Sequence, residues 1–191
     1  MASGDEDIVT VLAAQHDQVR ALLTQLHDSF APLEDPIRAA AGPFQELVRL
    51  LAIHETAEQA VVYPVLKSQL QAADVADPRL AEEHEAKRLL SKLERMAVIF
   101  EFPATLAEFE KVVFDHADHE EQQVFPLLRE RIDADQRGKM AVDFRAAEVG
   151  APTHPHPHAP DSAVGNFLVG PVLATIDRVR DAIRERSQNS R

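Results

Sequence analysis

One short pattern occurs twice along this chain. His54 and Glu58 are followed by Val62, Tyr63, Pro64 and Leu66, and His116 and Glu120 are followed by Val124, Phe125, Pro126 and Leu128 at the same spacings. The segments ahead of them correspond as well, His16, Arg20 and Leu22 matching His84, Arg88 and Leu90. The chain therefore reads as two helix pairs, each with a His on its first member and HxxxE on its second. With 6 Gly in 191 residues and apolar residues recurring at helical spacing nearly throughout, the fold class is all-α.

The first helix is expected from Asp5 to Phe30, with Ile8, Leu12, Val19, Leu22, Leu23 and Leu26 on its inner face. A second runs from Pro43 to Gln71 after a lead-in at Pro36, and Pro64 inside it predicts a kink. Asp77 and Pro78 are start signals for a third, ending near Val98. The fourth begins near Pro103 and reaches Ile132, with Pro126 inside it, and a weaker helical stretch covers Asp135 to Glu148. Composition then changes. Pro152, Pro155, Pro157 and Pro160 alternate with His154, His156 and His158, which makes residues 150–165 an extended connector. Val172, Ile176, Val179 and Ile183 form an apolar stripe in residues 166–191, predicting a last amphipathic helix that packs on the bundle or on a second copy of the chain. Residues 1–149 are the expected bundle domain.

The repeated spacing has chemical content. Positions four apart differ by about 40° around a helix and about 6 Å along it, so His54 with Glu58, and His116 with Glu120, each aim at one region. Burying four His and two Glu on apolar faces without a cation would strand polar groups at high cost, whereas helix bundles place inward His and Glu from several helices around two metal ions. The absence of Cys removes thiolate zinc sites, iron–sulfur clusters and a Cys nucleophile, leaving nitrogen and oxygen ligands. A formal charge of −12 argues against nucleic acid as the main partner, and the apolar runs are too short to cross a membrane, so a cytoplasmic protein is expected.

These residues resemble the hemerythrin-like, or HHE cation-binding, family, whose pattern is H, HxxxE, H, HxxxE on an up-down-up-down four-helix bundle. The likeness covers Asp5 to Ile132 and includes the aromatic-Pro pair after each HxxxE. It implies a metal site of His16, His54, Glu58, His84, His116 and Glu120, with the four His as terminal ligands and the two Glu bridging. It implies two non-haem iron ions, oxo- or hydroxo-bridged, with manganese the second choice. The family's oxygen carriers have a further His one turn after the third-helix His, where this chain has Arg88, which counts against reversible oxygen carriage. Its cluster-repair members usually carry a Cys-containing segment that this chain lacks, and its iron-sensing members use a Glu after the second-helix His, which is Glu55 here.

His119 and the connector residues His154, His156 and His158 are further candidates to complete the site. Tyr63, whose repeat partner is Phe125, reads as core, and His27 lies about 16 Å along the first helix from His16, too far to share a centre. Leu12, Leu51, Val61 and Val113 are expected to keep the pocket dry. The expected function is binding or turnover of a small oxidant, peroxide, nitric oxide or oxygen, in oxidative or nitrosative stress, by catalase-like or nitric-oxide-handling chemistry. The alternative is an iron- or oxygen-sensing or oxygen-binding module without turnover. No flavin, NAD or haem signature is present, so redox activity implies a separate electron donor, and the C-terminal helix is the expected surface if the chain forms a homodimer.

Overall fold

A computed structural model describes residues 6–29, 36–95 and 102–151. The expected C-terminal helix, the dimer contact expected of it and the connector histidines lie outside these residues. Helix α1 spans Ile8–Ser29. The Asp7 carboxylate starts it by accepting from the Val9 N–H at 2.9 Å, while the Asp7 carbonyl accepts from Val11.

Helix α2, Pro36–Pro64, begins at the proline expected to be only a lead-in, and Pro43 is accommodated inside it. At Pro64 the helix continues through a wider π-helical turn, Val65–Gln69, in which the Leu70 N–H reaches back five residues to the Val65 carbonyl. Pro64, without an N–H, cannot bond back to the carbonyl four residues earlier, and the wider turn follows directly after it. Gln71, with φ of 55°, ends the run. Helix α3, Ala73–Arg95, starts one turn earlier than its sequence signals indicate. The Val75 and Ala76 N–H groups bond to the Ala72 carbonyl, so Asp77 lies inside the helix and does not cap it.

The fourth rod is α4, Phe102–His119, then a second π-helical turn, Glu120–Val124, then α5, Phe125–Arg131. Pro126 sits in the first turn of α5, where its missing N–H is least costly. Extended backbone at Ile132 breaks the rod, and Asp133 caps α6, Ala134–Gly150, by accepting from the Gln136 N–H at 2.8 Å. The segment with the faintest sequence pattern is thus a full helix, which buries Met140, Ala141 and Phe144 and packs on α1 and α2.

Two apolar clusters fill the bundle. One joins Ile8 and Leu12 of α1, Val62 and Tyr63 near the end of α2, Ala76 early in α3, Leu128 of α5 and Phe144 of α6. The other joins Leu23 and Leu26 late in α1, Leu47 and Leu51 in the middle of α2, Leu89 and Leu93 late in α3, and Leu106 and Phe109 early in α4. Starts of odd rods meet ends of even rods, so the bundle runs up-down-up-down. The buried polar residues His16, His54, Glu58, Glu83, His116 and Glu120 lie between the clusters as a layer across the bundle. Among the described residues no helix is long and apolar enough to cross a membrane.

Candidate metal centre

The two HxxxE spacings do what helix geometry requires of them. His54 Nε2 stands 3.3 Å from Glu58 Oε2, and His116 Nε2 stands 3.7 Å from Glu120 Oε2. His16 enters from α1 with Nε2 3.3 Å from the same Glu120 oxygen. His16, His54, Glu58 and Glu120 each place one ligand atom within 4.8 Å of the others, and so do Glu58, Glu83 and His116. The two sets share Glu58. Glu120 starts the π turn of the fourth rod, a deformation often found where a helix presents a functional group.

His84 is not in this layer. It is exposed on α3, and Glu83, 1% exposed, takes the inward position. The heptad-like stripe of α3 runs through Ala76, Arg79, Glu83, Ala86, Leu90 and Leu93, all buried, and His84 is about 100° off it. The inward stripe, read with its charged members included, is the signal that would have found Glu83.

Each buried imidazole is held from outside through Nδ1. His16 Nδ1 is 2.9 Å from Glu121 Oε1, His116 Nδ1 is 3.2 Å from Glu82 Oε2, and His54 Nδ1 is 2.7 Å from Gln15 Oε1. With Nδ1 facing these outer acceptors, each ring turns its Nε2 into the layer, the orientation that metal-binding histidines use. Arg20 and Arg79 anchor the outer carboxylates Glu121 and Glu82 at 2.9 and 2.7 Å. His119, half exposed, meets Glu82 at 2.9 Å, so it steadies the partner of His116 and does not enter the layer itself. His27 pairs with Glu110 at the surface, away from the site.

The hemerythrin HHE cation-binding domain matches residues 7–128. The chain belongs to this family. A hemerythrin-like protein of Schizosaccharomyces pombe, described as uncharacterized, is 30% identical over 138 residues, covering 71% of this chain and 68% of that one. A Nostoc protein named DNA nickase is 28% identical over 145 residues, 75% of this chain, and the match spans 40% of the Nostoc protein's length. No solved structure matches. Helix α6 lies wholly beyond the matched span.

The electrostatics of this hemerythrin-like layer are those of a cation site. Burial, then Glu120 and Glu83, push the Glu58 carboxyl well above its ordinary range, and burial, opposed by Lys87, brings Glu83 up to about 7. Burial, then His16, lowers His54 to about 3 and keeps it neutral. Burial also acts to lower His116, but Glu120 and the Glu82 hydrogen bond outweigh it and hold it at about 9. For Glu120 burial is outweighed by His116 and His16, and its carboxyl lies below the ordinary range. His16 Nε2, His116 Nε2, both Glu58 oxygens, Glu83 Oε1 and Glu120 Oε2 are buried without a hydrogen-bond partner. Buried polar atoms without hydrogen-bond partners converge from four helices, and two divalent cations with mixed nitrogen and oxygen ligands would satisfy them once the protons on His116 and Glu58 are displaced, so the donor set fits.

Two further groups border the layer. Tyr63, read from its repeat partner as core, donates its hydroxyl to Glu120 Oε1 at 3.0 Å. Glu55 is buried with Lys87 Nζ 3.3 Å from its Oε2, and the same ammonium is 3.6 Å from Glu83 Oε2. A pocket adjoins the histidines on one side and is lined on the other by Val19, Leu51, Ala86, Val113 and Phe114. Leu51 and Val113 thus take the place expected of them, while Leu12 and Val61 belong to the apolar cluster at the other end.

Proposed function

We propose that this chain holds two non-haem iron ions and binds or turns over a small oxidant, with peroxide and nitric oxide ranked first and a role in oxidative or nitrosative stress. The observation carrying the reading is the sharing of Glu58 between two His/Glu sets in which His16 Nε2, His116 Nε2, both Glu58 oxygens, Glu83 Oε1 and Glu120 Oε2 have no hydrogen-bond partner. His16, His54, Glu58 and Glu120 would hold one ion and Glu58, Glu83 and His116 the other, with Glu83 replacing His84 from the sequence expectation.

When bound, an iron pair supplies two redox equivalents beside coordination positions that the protein leaves open. The chain's own residues do the rest. Neutral His54 offers an uncharged nitrogen ligand, the carboxylates Glu58 and Glu120 would balance part of the cation charge, and Glu121 and Glu82 hold His16 and His116 in orientation. The apolar wall of Val19, Leu51, Val113 and Phe114 excludes water and admits small neutral molecules. Peroxide removal balances without an added reductant, since one peroxide is oxidised to oxygen while a second is reduced to water. Nitric oxide reduction needs electrons from a separate donor. Nicking of DNA, as in the Nostoc relative's name, draws less support, because the likeness spans 40% of that protein and this chain carries a charge of −12.

Metal analysis with the near-ultraviolet and visible spectrum tests the centre. About two irons per chain with bridged di-iron absorption supports it, and one zinc or no metal overturns it. Peroxide or nitric oxide consumption that disappears in His54→Ala and Glu120→Ala supports turnover. A second reading, metal-dependent sensing without turnover, is favoured by one contact, the bond from Gln15 beside the layer to Glu148 near the end of α6. It predicts metal-dependent protease protection near Gly150 with no consumption of either oxidant.

A further inference from the structure

His16 and His116 are oriented directly by carboxylates from α4's rod and α3, but His54 is oriented by an amide. An amide has a donor end and an acceptor end and can present either. What fixes Gln15 is its second contact: its Nε2 donates to Glu148 Oε1 on α6. A carboxylate can only accept, so Glu148 compels the nitrogen of Gln15 to face it and the oxygen to face His54. That oxygen in turn compels His54 to carry its proton on Nδ1, which leaves Nε2 as a lone pair toward Glu58 and the cation layer. With the amide reversed, its NH2 would meet Nδ1, the proton would move to Nε2, and His54 could not ligate.

We propose that Glu148, through Gln15, sets the tautomer of His54, so that docking of α6 and loading of the metal centre are coupled. Gln15 and Glu148 are positioning residues here, and the proposal rests on reading the His/Glu layer as a metal centre. The geometry around the relay fits a docked switch. Gln15 is 5% exposed, Phe144 of α6 meets the His54 ring edge-on at 6.3 Å, and Arg145 ties Glu148 to Glu6 ahead of α1. Displacing the end of α6 frees the amide to reverse and weakens the centre, and by linkage loading the centre favours docked α6. Because α6 lies beyond residues 7–128, the control comes from outside the family's shared domain.

The test has a readout that needs no metal. Long-range proton–nitrogen NMR of the metal-free full chain should show His54 protonated on Nδ1. Glu148→Lys, which offers a donor in place of an acceptor, should shift it to Nε2–H and lower Co(II) affinity by about 10- to 100-fold. Glu148→Leu, gentler on folding, should give a mixture of tautomers. The pair Gln15→Glu/Glu148→Lys restores an acceptor for both neighbours and should recover the tautomer and the affinity, while Val142→Ser, at an exposed position of the same helix, should change neither. Hydrogen exchange in α6 should slow on Co(II) loading. An Nε2–H tautomer in the unmodified chain, unchanged affinity in Glu148→Lys, or α6 exchange indifferent to loading would overturn the proposal. A chain that binds no Co(II) but shows the tautomer and its reversal sinks the metal reading and leaves the relay standing.

Discussion

Tyr63 donates its hydroxyl to Glu120 Oε1 at 3.0 Å and so divides the labour of that carboxylate, leaving Oε2 to face His16 and His116. The equivalent residue of the other repeat is Phe125, which stacks on the His16 ring instead, and both oxygens of Glu58 are unpartnered. Tyr63→Phe therefore strands a buried carboxylate oxygen. We expect the metal-free protein to lose about 1–3 kcal/mol of stability in urea unfolding, with an unchanged denaturant slope. No loss would mean that the hydroxyl is not engaged.

Glu83 and His84 make opposite claims on the third-helix position. Because Glu83 lies on the buried stripe and His84 is exposed, Glu83→Ala should reduce binding from two ions per chain to one, and His84→Ala should leave two. Metal content after gel filtration decides it, and the reverse pattern would reinstate His84.

Loading the centre should expel protons. In the metal-free fold Glu58 is raised well above the carboxyl range, Glu83 is raised to about 7 and His116 to about 9, so these groups hold protons near neutral pH that ligation must displace. Each shift is upward, so affinity should rise as the pH climbs from about 6 to about 9 and fall as it is lowered. Calorimetry in two buffers of different ionisation heat measures the protons released, and zero release would contradict the picture.

Lys87 acts as a tethered cation beside the second ligand set. Its ammonium is 3.3 Å from Glu55 and 3.6 Å from Glu83, so it competes with an incoming ion for the same negative charge. Lys87→Met should tighten the second Co(II) binding step by roughly tenfold and leave the first step nearly unchanged. Weaker second binding would show that Lys87 helps to shape the site.

The duplicated HxxxE pattern was enough to assign an all-α bundle and to single out five residues of the layer, His16, His54, Glu58, His116 and Glu120, because a fixed rise and rotation per residue makes i,i+4 pairs converge whatever else the chain does. It was not enough for the third helix, where Glu83 and His84 are neighbours and only packing against the other rods decides which one turns inward. Tyr63 looked like its partner Phe125 for the same reason: a hydroxyl's partner is a matter of distance across the bundle. Helix α6 was least legible of all, because its sequence shows little periodicity and its burial comes from the groove between α1 and α2. Local geometry is written in spacing along the chain, while inward choice, hydrogen-bond polarity and the reach of Glu148 toward His54 exist only once distant segments touch.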